Sequence, residues 1–433
     1  MPVWPEHVMW WHVYPLGFVG APIRDGVDPD AEPESRLDRL EPWLDHVIEL
    51  GLNGLLLGPV FASETHGYDT VDFFRIDPRL GDDAAFDRLL AAARERGIRI
   101  LLDGVFNHVG RGHPAFQAFA DGGDDPGLFR ARRTDGRVDA DVFEGHDALV
   151  ALDHSAPAVA DLVVDVMNHW LERGIDGWRL DAAYAVPPAF WAEVLPRVRE
   201  RFPEAWFLGE VIHGEAADLV RESSMDSLTQ YELWQGIWHG IADRNLFELS
   251  HAIERHDELL ATFVPQTFVG NHDVTRIASA VGADRVPHAL AVLFAVAGTP
   301  SVYAGDEFGW TGVKEERIGG DDAVRPEFPA NPDDVDADAD ADERILRAHQ
   351  ALLALRRRKP WLWRAHTDVI EVANTAVALR TAVGDDAVVV ALNIGDDPVS
   401  LPVADGRTLV AGEGSPADGR IDLGPRGWAV LEA

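Results

Sequence analysis

Three times in the first 180 residues a helix-patterned stretch ends in glycine and runs at once into an apolar segment. Glu49-Leu50-Gly51 precedes Leu52–Phe61, Glu95-Arg96-Gly97 precedes Ile98–Phe106, and Glu172-Arg173-Gly174 precedes Ile175–Leu180. Glycine reaches the left-handed backbone that closes a helix, so each junction reads as helix stop and strand start. The strands are apolar on both faces, which suits parallel strands covered on both sides and not a half-wet antiparallel sheet. The preceding helices carry apolar residues near a 3.6 spacing: Phe86, Leu89, Leu90 and Ala93, then Val159, Leu162, Val163, Val166, Met167 and Trp170. Further strand candidates lie at Val8–Tyr14, Trp206–Val211, Met225–Leu233, Thr267–Asn271 and Pro300–Ala304. Eight strands joined by helical crossovers predict a (β/α)8 barrel with its site on the loops after the strand C-termini. A doubly wound open sheet would carry a Gly-rich turn after its first strand, which Tyr14-Pro15-Leu16-Gly17 does not supply.

The 433 residues divide into a barrel over 1–109 and 156–360, an inserted lid subdomain over 110–155, and a C-terminal antiparallel β-sandwich domain over 361–433. The insertion, rich in Gly, Asp and Arg, is too long for an ordinary loop. From Val369 the texture changes to alternating apolar segments divided by Gly and Asp. Between barrel and sandwich lies Thr311–Asp342, whose Asp-Ala alternation over Asp333–Asp342 reads as a solvated, mobile run.

The net charge of −36 repels phosphate backbones and anionic lipid, so neither nucleic acid nor a membrane surface is an expected partner. With no cysteine, disulfides, thiolate metal sites and cysteine nucleophiles are excluded. The N-terminal stretch lacks the basic start and apolar run of a signal peptide, and no apolar run is long enough to span a bilayer, so a soluble, cytoplasmic protein is expected.

The proposed strands end in Asp103 with Asn107 and His108, Arg179 with Asp181, Glu210, and Asn271-His272-Asp273. A carboxylate at the end of an apolar strand is costly unless it has a partner or a task. Asp181 and Glu210 lie on neighbouring strands, and paired carboxyls at that separation suit retaining glycoside hydrolysis. Arg179, two residues before Asp181, points to the same face and is expected to keep Asp181 ionised. Glu210 follows an apolar Phe207-Leu208-Gly209, a setting expected to raise its pKa and suit it to proton donation.

Asp103-Gly-Val-Phe-Asn-His108, Gly177-Trp-Arg-Leu-Asp181, Leu208-Gly-Glu210 and Val269-Gly-Asn-His-Asp273 resemble, in order and spacing, the four sequence regions of the alpha-amylase family of retaining glycosidases. The resemblance implies Asp181 as nucleophile, Glu210 as acid/base and Asp273 as the third acid, which binds sugar hydroxyls. It also implies Asp103 and Arg179 in the substrate site, His108 and His272 hydrogen-bonding the sugar, and Tyr68 of His66-Gly-Tyr-Asp69 stacking on its ring. The implied partner is an oligosaccharide, an α-glucan such as a maltooligosaccharide, and the expected state a monomer or weak homo-oligomer. Gly177-Trp-Arg-Leu-Asp-Ala-Ala and Gly209-Glu-Val-Ile-His213 look most like the neopullulanase and cyclomaltodextrinase group, whose members usually carry an additional N-terminal β domain. The first barrel strand here starts almost at residue 1, so dimerisation through that domain is not expected. Many α-amylases continue the nucleophile motif with Lys-His, which serve substrate and a calcium ion. Tyr184 and Ala185 stand there in this chain, so no cofactor is expected to be required, although Asn107 matches the other usual calcium ligand. Exo-acting members usually carry Asp three residues before the stacking tyrosine, where this chain has Thr65.

The same carboxylates would serve a transglycosylase or isomerase, separated from a hydrolase by its products. A non-catalytic sugar-binding relative would have lost acids that this chain keeps. A metal-dependent barrel hydrolase is excluded by the lack of a His-x-His pair after the first strand and of His-Glu-x-x-His.

Overall fold

The computed structural model describes residues 3–24, 27, 32–135, 137–335, 341–404 and 408–433. Its centre is an eight-stranded sheet of β1 (Trp10–Val13), β2 (Gly54–Leu57), β3 (Arg99–Gly104), β4 (Gly177–Leu180), β5 (Trp206–Gly209), β6 (Ser227–Leu228), β7 (Gln266–Phe268) and β8 (Thr299–Tyr303). The order is β6-β5-β4-β3-β2-β1-β8-β7 with every pairing parallel. A parallel bridge between Thr229 and Gln266 joins the two edges and closes the barrel. Gly51 and Gly174 cap their helices at φ of 109° and 116°, where a Cβ would be strained.

Two strand expectations are corrected in extent. Leu52–Phe61 breaks after Leu57, and Phe61–Ser63 pairs instead with Thr70–Ile76 in a hairpin that carries Tyr68 at its turn. Met225–Leu233 shrinks to β6, because Gln230 caps the helix Tyr231–Ala242, whose buried Leu233, Gly236, Ile237, Gly240 and Ile241 follow a helical period.

Alternation along the strands sorts the barrel interior into two layers. At the N-terminal end Trp10, Leu56, Leu101, Trp206 and Leu208 form an apolar plug, with Trp10 and Trp206 stacked at 5.9 Å. One pleat further on, His12, Asp103, Arg179 and Glu210 occupy the same inward face, each two residues beyond a plug residue or in register with one. The intervening Trp11, Leu55, Leu57, Leu102, Trp178 and Phe207 point outward into the core beneath the helices.

The insertion after β3 opens with His108–Gly110 paired to Leu149–Ala151 and contains the helix Pro114–Ala120 and the hairpin Ala131–Thr134/Arg137–Ala140. Within Thr311–Asp342, Val324, Arg325 and Phe328 are buried, whereas residues 336–340 of the Asp-Ala run lie outside the described residues. The C-terminal strands are β9 (His366–Ala373), β10 (Ala376–Val383), β11 (Asp386–Asn393), β12 (Val399–Pro402), β13 (Thr408–Gly412), β14 (Arg420–Leu423) and β15 (Trp428–Glu432). They form a five-stranded antiparallel sheet, β9-β10-β11-β15-β13, and a separate pair, β12-β14. Ala376, Ala378, Val389 and Ala391 meet Leu401, Ile421 and Leu423 of the pair, while Val377, Leu379, Val388 and Val390 join the barrel-side core. This is a sandwich docked on the barrel by its second face. Among the described residues no helix is long and apolar enough to cross a membrane.

Candidate active site

The β3-β4-β5 ladder runs one residue past the strands. Asp181 N donates to Gly104 O at 3.1 Å and Glu210 N to Leu180 O at 2.9 Å. With Leu180 and Gly209 in register, the carboxyls of Asp181 and Glu210 stand side by side. Arg179, 3% exposed, reaches Asp103 Oδ2 at 2.5 Å and Asp181 Oδ1 at 3.3 Å with one terminal nitrogen, and Glu210 Oε1 at 2.6 Å with the other. Both acids therefore fall within the span of one guanidinium.

Glu210 accepts two more hydrogen bonds, from Tyr231 Oη and from Ala182 N, each at 3.1 Å. The second depends on Ala182 adopting φ 45°, ψ 39°, a left-handed conformation that an alanine holds only at a cost. Asn271 Nδ2 donates to Tyr231 Oη at 3.0 Å and its Oδ1 accepts from Asp273 N at 2.8 Å, so one amide links the Glu210 side of the mouth to the Asp273 side. Asp273, with 31% of its side chain exposed, receives Arg325 at 2.7 Å and His272 Nε2 at 2.9 Å. Arg325 also donates to His272 O at 2.9 Å and lies 4.5 Å over the Tyr14 ring.

Of the residues expected to contact sugar, Tyr68 stands half-buried at the mouth, its hydroxyl donating to Asp103 Oδ2 at 3.0 Å and meeting His272 Nε2. Its ring lies parallel to His272, which in turn lies parallel to Tyr14. The two histidines are engaged within the protein. His108 receives the Asn107 amide on Nδ1 at 3.1 Å and donates Nε2 to Tyr68 O at 2.9 Å. His272 has no exposed surface, and its one unpartnered nitrogen, Nδ1, is buried. Both rings stand behind the site and hold Tyr68 and Asp273. A strap from the insertion covers this part: Phe143 stacks on His108 at 4.8 Å, and Glu144 accepts from Tyr184 Oη at 2.9 Å.

The electrostatics also correct the sequence reading. Burial pushes the Asp181 carboxyl well above its usual range, the charge of Glu210 adds to the push, and Arg179 opposes it without prevailing. The reason is geometric, because Arg179 is closer to Asp103 and Glu210 than to Asp181. Asp103, fully buried with Oδ1 unpartnered, is likewise raised by burial against the pull of Arg179. Burial disfavours the Asp273 anion, but His272 and then Arg325 outweigh it and hold that carboxyl well below the usual range. Burial disfavours the Arg179 cation too, yet Asp103 and Glu210 hold it charged. Burial thus disfavours the ionised forms of Asp181 and Asp103 against the pull of Arg179, and the charges on His272 and Arg325 favour that of Asp273.

Sequence reasoning misses Tyr231, Arg325, Ala182 and Glu144. It places Tyr231 on a strand, although the cap-like Gln230 ahead of a helical period is a signal that moves it onto a helix. Arg325 and Glu144 carry no motif, and Ala182 lies within Gly177-Trp-Arg-Leu-Asp-Ala-Ala, which does not mark its left-handed backbone.

A closed parallel barrel that gathers acids and an arginine at its strand C-termini defines the (β/α)8 class with its site in the mouth of the barrel. The chain belongs to the alpha-amylase family: the family's alpha amylase catalytic domain matches residues 37–128 and 142–368. It is 30% identical to a maltogenic alpha-amylase of Bacillus acidopullulyticus over 83% of this chain and 64% of that protein. It is 32% identical to a cyclomaltodextrinase of a Bacillus species over 72% of this chain and 61% of that protein. The chain thus spans less than two thirds of these relatives' length. The solved cyclic alpha-maltosyl-(1→6)-maltose hydrolase of Arthrobacter globiformis superposes with a TM-score of 0.83 at 26% identity, covering 100% of this chain and 99% of that one. The relatives' names fit the cyclomaltodextrinase-like resemblance of the motifs.

Asp181→Asn is expected to raise thermal stability, and more so at high pH. The unfolded chain releases the Asp181 proton near pH 4, whereas the folded protein holds it to higher pH, so ionisation there costs stability as pH rises. Each unit of pKa mismatch is worth about 1.4 kcal/mol, and for a chain of 433 residues each kcal/mol moves the melting temperature by about 1 °C. Melting curves of both proteins at pH 5 and pH 8 check this, and a gain that does not grow with pH would contradict the raised Asp181 pKa.

Proposed function

We propose that the protein is a retaining glycoside hydrolase that cleaves α-glucosidic bonds of maltooligosaccharides or related α-glucans through a covalent glycosyl-enzyme. The observation that carries this reading is Arg179 spanning Asp181 and Glu210 on adjacent strands, a pairing of carboxyls that suits a direct nucleophile beside a proton donor. The substrate class rests on the names of the relatives.

In the first step Asp181 Oδ attacks the anomeric carbon while the glycosidic C–O bond breaks and Glu210 gives its proton to the departing oxygen. In the second, Glu210 takes a proton from water, the water oxygen bonds the anomeric carbon, and the Asp181 ester opens. In the covalent intermediate Asp181 is an ester and Glu210 is ionised; the productive starting form has the proton on Glu210 and Asp181 ionised. A glycosidic oxygen beside Glu210 selects this form by accepting its hydrogen bond, while an incoming sugar brings partial positive charge to Asp181. Asp273, kept ionised by His272 and Arg325, is placed to accept hydrogen bonds from sugar hydroxyls. Thr65 and the absence of an acid there support action not confined to chain ends.

Two inversions return the α configuration, so NMR of fresh product should show the α anomer first. An initial β anomer would overturn the two-step mechanism, and longer oligosaccharides in place of cleavage products would favour transfer over hydrolysis. Glu210→Gln should lose at least about 100-fold on a maltooligosaccharide but far less on a glycosyl fluoride, whose leaving group needs no proton. Equal losses on both would remove Glu210 from the acid role.

We propose that no calcium ion is required. The residues near Asn107 fit one poorly: Asn107 offers its amide oxygen, its nitrogen being engaged by His108, but Tyr184 is engaged by Glu144 and Ala185 has no side-chain ligand, so a cation that takes roughly six to eight oxygens finds few here. Among the described residues the group of acids and histidines close enough to share an ion is His239, Asp243 and Glu248, at the junction of the helices Tyr231–Ala242 and Leu246–Leu259. Activity after EDTA and gel filtration should be unchanged, and calcium should move the melting temperature by less than about 1 °C, since a weakly bound ion adds little by mass action. A chelator-induced loss restored by calcium would overturn this.

A further inference from the structure

Beside the catalytic cluster lies a cleft of about 640 Å³ that the mechanism leaves unused. Val211, Ile212 and His213, which follow Glu210 directly, line one part of it, together with Tyr231, whose hydroxyl holds Glu210. From there it continues between the helices Ala216–Ser223 and Tyr231–Ala242. Its wall carries two half-buried indoles, Trp234 and Trp238, one helical turn apart, with ring centroids at 5.8 Å and planes at 48°. Trp234 also stacks on Phe268 at 6.2 Å, which fixes its orientation. Between and around the indoles stand Gln235, Glu258 and Arg255.

This lining is neither an apolar groove nor a charged one. Rigid aromatic faces give a flat apolar contact at small entropic cost, and amide, carboxylate and guanidinium groups at their edges supply hydrogen bonds of both senses. A pyranose ring has the complementary form: one face of C–H groups, a rim of hydroxyls and no charge to be repelled by a chain of net charge −36. Position selects which sugars would sit there. Glu210 protonates the oxygen of the leaving portion, so the leaving portion lies on the Glu210 side, while Asp273 and Arg325 hold the opposite side of the mouth. The cleft begins on the Glu210 side.

Resting on the glycosidase reading above, we infer that this cleft binds the leaving-group end of an α-glucan chain, several sugars beyond the cleaved bond, with Trp238 and Trp234 as its stacking platform. The enzyme then discriminates between substrates by the length of what leaves.

The test compares p-nitrophenyl α-maltoside, whose leaving group ends at the cleavage site, with maltohexaose. Trp238→Ala removes one platform ring without touching Tyr231, and Ala217→Trp adds bulk into the cleft from the facing helix without removing any packed group. In both variants kcat/KM for maltohexaose should fall about tenfold, the equivalent of about 1.4 kcal/mol, chiefly through KM, while that for the nitrophenyl substrate stays within about twofold. An unchanged ratio of the two in either folded variant, verified by its melting curve, would overturn the inference and leave the glycosidase reading intact. If the unmodified enzyme cleaves neither substrate, the glycosidase reading fails. Calorimetry of maltohexaose binding then decides the cleft alone: heat present in the unmodified protein and lost in Ala217→Trp supports it, and equal heats or none overturn it.

Discussion

The interior of this barrel would not tolerate its acids without Arg179. Asp103, Asp181 and Glu210 are all within a tenth of full burial, and moving carboxylates into such a place without a counter-charge costs several kcal/mol each. One guanidinium, touching all three, is the compensation. Its planar fork is what allows it, since a lysine ammonium could not present two nitrogens to two acids on adjacent strands while a third bonds from behind. Even so, burial and the neighbouring Glu210 charge outweigh that one cation at Asp181 and disfavour its ionised form. The strained Ala182 amide and the Tyr231 hydroxyl, both aimed at Glu210, then fix where each carboxyl points.

The barrel supports this cluster by its layering. The apolar plug of Trp10, Leu56, Leu101, Trp206 and Leu208 fills the N-terminal end, so the charged layer has a dry, immobile floor one pleat away. Because strand side chains alternate strictly, the same strands that pack the helices with Trp11, Leu102 and Phe207 deliver His12, Asp103 and Glu210 inward. Chemistry and packing are therefore interleaved residue by residue along β1, β3 and β5.

Much of this is legible in the amino-acid sequence alone. The glycine stops at Gly51, Gly97 and Gly174 mark the helix-to-strand transitions, and counting strands gives the barrel. Acids after apolar strands give the site, because nothing else in such a strand justifies a carboxylate. Other features are hidden for physical reasons. β6 is two residues long and its apolar continuation belongs to a helix, so hydropathy does not separate them. His108 and His272 lie within motifs, but motif membership does not tell which ring nitrogens are already taken by Asn107, Tyr68 and Asp273. The direction of the Asp181 shift depends on distances of Arg179 to three acids, a quantity that spacing of two along a strand leaves undetermined. Arg325 and Glu144 act from segments with no periodicity at all, where position is set by tertiary contact alone.

The strap formed by Phe143 and Glu144 has a consequence for how such a protein can change. Insertions between barrel strands are where length and sequence drift most freely. Here that drift is tethered, because the drifting segment supplies one ring against the β3 loop and one carboxylate against the β4 loop. The insertion is thus part of the wall of the mouth. Any lineage that remodels it alters the fit around the nucleophile in the same stroke, so novelty in substrate choice and repair of the lid must be selected together.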